Sequence, residues 1–190
     1  MDIYKRCKWC NSDPVYIKYH DEEWGVPVFN DKKLFEALVL ETFQAGLSWI
    51  TVLKKRENFK IAFDNFDAQK ISKYSNKKLN ELEKNKLIIR NKLKIHATKN
   101  NAISFLRIQK KYESFSKFIW NYTNNKPIIN KYKDVTDIPS KTALSSRISN
   151  DLKKYNFKFI GPTIIYAYMQ AIGLVNDHTI NCFKHKKNNL

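Results

Sequence analysis

The sequence predicts an all-α fold, and three observations carry that prediction. Apolar residues recur at i,i+4 spacing along most of the chain, and N-capping side chains stand just ahead of those stripes. Runs that alternate apolar with polar residues, as half-buried strands require, do not recur.

Taken in order, Asp31 is placed to cap a helix running to about Gln44, in which Leu34 faces Leu38 and Phe35 faces Val39. Ser48 is placed to cap the next, from Trp49 to about Phe63, with Trp49, Ile50 and Leu53 on one side and Lys54, Lys55 and Arg56 on another. Ser75 opens Asn76–Lys86, and Asn91–Gln109 forms a long basic helix carrying Ile95, Ala102, Ile103 and Leu106. Ser114 caps a short aromatic helix through Phe118 and Trp120. Asn121–Ser140, with two prolines and many polar residues, reads as an ordered loop rather than a linker. Leu144, Ile148 and Leu152 then form a stripe, Gly161-Pro162 punctuates, and Ile164, Ile165, Tyr168, Met169 and Ile172 begin a second apolar helix. Pro162 suits its first position, where an N–H would be unpaired anyway. No internal repeat is visible, so residues 1–190 read as one domain.

Composition narrows the function classes. At 190 residues, 43% apolar and 14% aromatic, with only four Gly and five Pro, the chain can bury a real core and is not a disordered basic tail. Three cysteines are too few, and odd in number, for a disulfide scaffold. The start, MDIYKRCKWC, lacks the apolar region of a secretory signal. The uncharged stretch Phe159–Asn176 is broken by Pro162, Gln170 and two glycines, which favours a buried helix over a membrane span. The expectation is a soluble, cytoplasmic monomer.

The formal net charge is +17, which suits a polyanionic partner such as nucleic acid. Thirty of the 35 basic residues are Lys, a composition that an A/T-rich genome would also produce. Lys is a point charge rather than a fork, so any DNA contact is expected mostly at phosphate. The charge is unevenly placed. Residues 1–48 hold six Lys/Arg against eight Asp/Glu, whereas the other 142 hold 29 against 10.

Cysteines and histidines gather at the two ends. Cys7 and Cys10 form C-x2-C with His20 following, and His178, Cys182 and His185 form H-x3-C-x2-H. His178 and Cys182 would share one helix face and grip one ion. Their joint clustering favours zinc as a clasp between the termini, with four protein ligands leaving no open position for catalysis. Spacing leaves Cys7–Cys10 and Cys7–His20 as rival N-terminal pairs.

Two further features point to a site. The turn from Asn156 to Thr163 would leave backbone N–H groups exposed at a helix start, where a phosphate can sit without regard to base sequence. On the turn alone, an ordinary αα-hairpin is the simpler reading. Glu41 sits on a helix built for burial, with Trp9, Tyr16, Tyr19, Trp24 and Trp49 within forty residues. Aromatic faces beside a carboxylate can hold a flat cationic or amino-bearing group. A solvent-facing Glu41 beside core aromatics is the competing reading.

Long blocks of the chain resemble the bacterial 3-methyladenine DNA glycosylase I family. They are Asp13-Pro14, Tyr16, Tyr19-His20-Asp21 and Glu23 to Pro27; Leu40-Glu41 and Gln44 to Arg56; then Phe157 to Thr163, Met169 to Ala171 and Gly173 to His178. The resemblance spans essentially the whole chain. It implies a helix–hairpin–helix glycosylase fold of two helical subregions with the base pocket between them. It also implies a structural zinc on Cys7, His20, His178 and Cys182, with Cys10 as an extra cysteine. The implied base pocket falls on Glu41, Trp9, Tyr16, Tyr19 and Trp49, with Glu41 as the acting carboxylate. Lys158, Gly161 and Thr163 would meet the DNA backbone. Asp177 lies where related enzymes carry a catalytic Asp, a role this family is regarded as lacking.

The implied activity is excision of 3-methyladenine from alkylated duplex DNA by base flipping, giving the free base and an abasic site. No Lys is an evident Schiff-base nucleophile, so strand cleavage is not expected. A non-catalytic zinc-clasped DNA-binding module, or a glycosylase for another alkylated purine, are the competing functions.

Overall fold

The computed structural model describes residues 5–10 and 13–187, the last two by backbone alone. Part of the N-terminal segment considered for a signal, residues 1–4, lies outside the described residues. Eleven α-helices are present among those described: α1 Pro14–Glu22, α2 Asp31–Gln44, α3 Trp49–Leu53, α4 Arg56–Ala62, α5 Ala68–Ser72, α6 Asn76–Lys84, α7 Lys92–Tyr112, α8 Phe115–Trp120, α9 Ala143–Lys154, α10 Pro162–Ala171 and α11 Phe183–Lys187. None of the described helices is long and apolar enough to cross a membrane.

The fold is mostly helical, with one departure from the all-α expectation. Ile128–Ile129 (β1) pairs in parallel with Val175–Asn176 (β2), in the register Ile128 to Val175 and Ile129 to Asn176. Two residues per strand are too short to show alternation, which is why periodicity does not find them. The ladder pins the 121–140 loop to the segment that leads into His178.

Helix α2 runs through the centre. Leu34, Phe35, Leu38, Val39, Leu40 and Phe43 are all buried, in one core with Phe59, Phe63, Phe105, Phe115, Trp120, Ile148 and Tyr168. A smaller cluster of Cys7, Tyr19, Trp24, Leu53 and Cys182 lies apart from it, with Trp9, Tyr16 and Trp49 packed against it.

Three expectations at helix ends change. Asn30, not Asp31, caps α2, its side chain accepting from Lys33 N–H. Asp31 instead accepts from the backbone N–H groups of Phe115 and Ser116, both at 2.8 Å, so it satisfies the orphan donors of α8. The helix expected from Trp49 to Phe63 is broken into α3 and α4 at Lys54–Lys55. Ser48 does precede α3, but its hydroxyl bonds Thr51 Oγ1 at 2.7 Å instead of capping the backbone. Ser75, Asn91, Ser114 and Thr142 cap α6, α7, α8 and α9 through side-chain oxygens.

Close backbone approach fixes the C-terminal part of the fold. Gly25 N–H donates to Gln170 C=O and Val28 N–H to Ile172 C=O, at 2.9 and 3.0 Å. Next to these bonds Gly173 has φ +69°, and a Cβ there would stand 2.3 Å from the Val26 carbonyl carbon, between the two donors. Only glycine meets both demands.

Candidate base-binding site and metal cluster

A cavity of about 390 Å³ lies between the smaller aromatic cluster and α10. Trp9, Tyr16, Tyr19, Trp24, Glu41 and Trp49 line it, so the aromatic residues and the carboxylate singled out in the sequence converge there. Tyr16 and Tyr19 come from one face of α1, whose start is set by Asp13 accepting from Val15 N–H ahead of Pro14. Trp9 meets Tyr16 and Trp24 edge-on, with ring centroids 5.3 and 4.9 Å apart. Tyr19 and Trp49 sit 5.3 Å apart.

Glu41 is only 3% exposed, which excludes the solvent-facing reading. Its Oε2 and the Trp49 Nε1 are buried without a hydrogen-bond partner among the described residues. An unpaired carboxylate oxygen in such a setting is costly unless something completes it. Burial alone pushes the Glu41 carboxyl up to about 8. Burial also raises the Tyr16 and Tyr19 phenols, so both present O–H groups at neutral pH.

The walls include residues that the sequence pattern does not mark. Val135, Ile138, Pro139 and Ser140 bring the long loop over the cavity, while Tyr166, Ala167 and Gln170 contribute from α10. Tyr166 and Gln170 fall at i,i+4 on that helix, a spacing that could have identified them. No local pattern marks the loop. A larger cavity of about 490 Å³ shares Tyr19 and Trp49. Of its carboxylates, Glu23 and Glu36 are paired with Arg56 at 2.6 and 2.7 Å, and Glu22 is exposed to solvent. Among the carboxylates lining the two cavities, the buried oxygen without a described partner is Glu41 Oε2, in the smaller one.

Behind that wall, Asp177 is fully buried and accepts from Asn130 Nδ2 at 2.6 Å, Tyr166 OH at 2.7 Å and Gln170 Nε2 at 2.7 Å. With three donors satisfied it braces the loop and α10, and it is absent from the residues lining the cavity.

The termini meet at a second cluster. One ligating atom each from Cys7, His20, His178 and Cys182 lies within 4.8 Å of the others, and all four residues are buried. Three of the four sulfur–nitrogen separations are 3.6 Å for Cys7–His178, 3.4 Å for Cys182–His20 and 3.5 Å for Cys182–His178. Tetrahedral zinc with its usual bond lengths requires about 3.5 Å between S and N ligands.

The outer nitrogens fix the imidazole tautomers. His20 Nδ1 faces Asp21 Oδ1 at 2.7 Å, and His178 Nε2 faces the Trp24 carbonyl at 2.9 Å. Both acceptors lack protons, so both imidazoles donate outward and turn their lone pairs toward the sulfurs. Arg6 in turn holds Asp21 at 2.7 Å. Although burial pushes the Asp21 carboxyl up, the Arg6 bonds keep it below its ordinary range. Cys10 is buried but stands outside the four-residue cluster. His185 also stands outside it, with Nε2 against Asn130 C=O at 3.0 Å. Of the two rival N-terminal pairs, Cys7–Cys10 and Cys7–His20, it is Cys7 and His20 that stand together in the cluster.

Helices α9 and α10 pack together, joined by a turn at residues 155–161. Asn101 on α7 brackets that turn, accepting from Lys158 N–H at 2.8 Å and donating to Lys158 C=O at 3.0 Å. Ser149 Oγ adds a 2.7 Å bond to Ile160 C=O. The Lys158 N–H is therefore spent internally, and its ammonium is what it can present. The left-handed positions are Asn156 (φ +69°) and Phe159 (φ +55°), whereas Gly161 has φ −57° with open space where a Cβ would go. No side chain caps α10. Of the three residues expected at DNA backbone, Thr163 reaches the lining of the Glu41 cavity; Lys158 and Gly161 are not among its walls.

Known proteins share this sequence and fold. The methyladenine glycosylase family model matches residues 9–185. The chain is 48% identical to DNA-3-methyladenine glycosylase of Haemophilus influenzae, covering 93% of this chain and 96% of the relative. It is 46% identical to DNA-3-methyladenine glycosylase 1 of Escherichia coli K12, covering 94% and 95%. A solved structure of 3-methyladenine DNA glycosylase I from Staphylococcus aureus, bearing on how 3-methyladenine is recognised, superposes with a TM-score of 0.92 at 37% identity. That match covers 95% of this chain and 96% of the other.

Proposed function

The chain belongs to the methyladenine glycosylase family, and on that premise we propose that it repairs alkylated DNA by excising 3-methyladenine. The observation that carries the reading is the Glu41 carboxylate, buried with one unpaired oxygen in a cavity walled by indole and phenol rings.

A base inside a duplex is beyond reach, so it must be extruded and read in a pocket. Adenine alkylated at N3 is cationic in the nucleotide and departs as a neutral base, so its glycosidic bond is already weak. Selective binding can therefore supply most of the discrimination. Trp9, Tyr16, Tyr19 and Trp49 offer ring faces and edges for stacking, and Glu41 accepts from the adenine edge and opposes its charge. Uncharged adenine gains less from both. Water completes the hydrolysis, leaving the free base and an abasic site.

The rest of the molecule serves delivery. The α9–turn–α10 unit is read as a helix–hairpin–helix. The unsatisfied N–H groups at Gly161 and Thr163 would receive phosphate, with the Lys158 ammonium beside them. Cys7, His20, His178 and Cys182 suit zinc, and four protein donors make it a structural clasp that supplies folding energy rather than chemistry. The single 1–190 domain is read as a cytoplasmic bacterial enzyme acting as a monomer on double-stranded DNA.

Incubation with methylated duplex DNA, followed by chromatography of the released bases, tests the reading. Release led by 3-methyladenine is expected. Release led by 7-methylguanine would move the specificity, and DNA binding without release would reduce the protein to a binding module.

A further inference from the structure

Lys94 on α7 is 5% exposed, although lysines are rarely buried without partners. Its Nζ donates to Phe43 C=O at 3.0 Å and to Ala45 C=O at 2.6 Å. These carbonyls sit at the C-terminal end of α2, where a helix leaves acceptors unsatisfied and a cation complements the dipole. The turn that follows has little support of its own. Gly46 takes φ +84° with nothing within 4 Å of a would-be Cβ, Leu47 is exposed, and Ser48 turns its hydroxyl to Thr51. Leu47 N–H to Gln44 C=O, at 2.7 Å, is the backbone bond within the turn. This turn joins Glu41 to Trp49.

We propose that Lys94 is a positioning residue for base recognition: its ammonium clamps the Phe43 and Ala45 carbonyls and so fixes the turn that holds Trp49 against the Glu41 cavity. The proposal rests on the reading of that cavity as the base site. It assigns Lys94 no contact with the base. Misplacement of a binding wall by about 1 Å can cost on the order of a hundredfold in rate.

The test compares wild type with Lys94→Met, which keeps the apolar stem and removes the donors, and Lys94→Arg, which keeps a cation. Amide exchange is followed by mass spectrometry over residues 41–50, alongside free 3-methyladenine Kd and kcat/KM on methylated duplex. All are measured well below each variant's melting transition. Lys94→Met should speed exchange in the turn while α10 exchange is unchanged, raise Kd about tenfold and lower kcat/KM about ten- to a hundredfold. Lys94→Arg should recover part of each. A Lys94→Met protein with wild-type turn exchange, Kd and kcat/KM would overturn the proposal, as would lost stability with full activity in the folded protein. If wild type released no 3-methyladenine while Lys94→Met still loosened the turn, the functional reading would fall and the clamp would stand.

Discussion

Glu41 and Trp49 line the same cavity, and each keeps one buried polar atom unpaired, the Oε2 acceptor of one and the Nε1 donor of the other. A carboxylate and an indole N–H left open together suit a planar heterocycle with both donor and acceptor edges. The arrangement carries a stability cost in the empty protein, which makes it testable without substrate.

Glu41→Gln should yield a more stable and less active protein. Burial holds the Glu41 proton from its ordinary 4.5 up to about 8, so between those values the native state keeps a proton that the unfolded chain releases. Stability therefore drains as pH rises through that window, and the glutamine variant escapes the loss. Its advantage should grow from near zero at pH 5 to about 1–3 kcal/mol at pH 8, read from denaturant midpoints. A gap that is flat with pH would contradict the ionisation assigned to Glu41.

The same proton predicts the pH dependence of catalysis. A cationic base pairs with the ionised carboxylate, so kcat/KM should climb with pH toward a midpoint near 8. Glu41→Gln should lose that limb along with most of its rate. Profiles of the two proteins between pH 5.5 and 9 (roughly the span over which such a group titrates) would check this.

Much of this site is legible in the amino-acid sequence. Cys7, His20, His178 and Cys182 are chemically rare residues, and the carboxylate stands out against its apolar helix. What stays hidden depends on partners far away in sequence. Asp31 has the right chemistry for a cap, but Asn30 takes its own helix and Asp31 serves α8. Asn101 looks like any polar position on α7 until the Lys158 peptide lies against it. Helix α1 differs, because Asp13-Pro14, a capping residue before a first-turn proline, is a local signal that apolar periodicity passes over.

Zinc binding by the Cys7/His20/His178/Cys182 cluster should depend on Asp21, which stands outside the four. Its carboxylate orients the His20 ring at 2.7 Å and is itself held by Arg6. Asp21→Asn should weaken zinc affinity about 10–100-fold, measured by competition with a chromophoric chelator. Wild type should retain one equivalent of zinc through dialysis, and its removal should lower the melting temperature. Unchanged affinity in the variant would show that the imidazole is oriented without the carboxylate.

Gly173→Ala should be severely destabilising. The methyl group would stand 2.3 Å from the Val26 carbonyl carbon and 2.5 Å from Pro27 N, both backbone atoms that cannot swing away. The left-handed φ of +69° adds strain. A loss of about 2–4 kcal/mol in urea denaturation is expected. A smaller loss would mean that the 25–28 segment can lift away from the end of α10.

Gly161→Ala separates folding from DNA contact in the α9–α10 turn. At φ −57° with nothing within 4 Å, an added methyl meets no strain and no neighbour, so the glycine is not needed for the turn itself. Folding stability should stay within about 0.5 kcal/mol of wild type, or rise slightly as the unfolded chain loses freedom. If a phosphate approaches the N–H groups of Gly161 and Thr163, the same methyl stands in its path. Duplex affinity should then fall several-fold while free 3-methyladenine affinity is untouched. Equal duplex affinity in the two proteins, measured at one fixed salt concentration, would move the phosphate contact away from this turn.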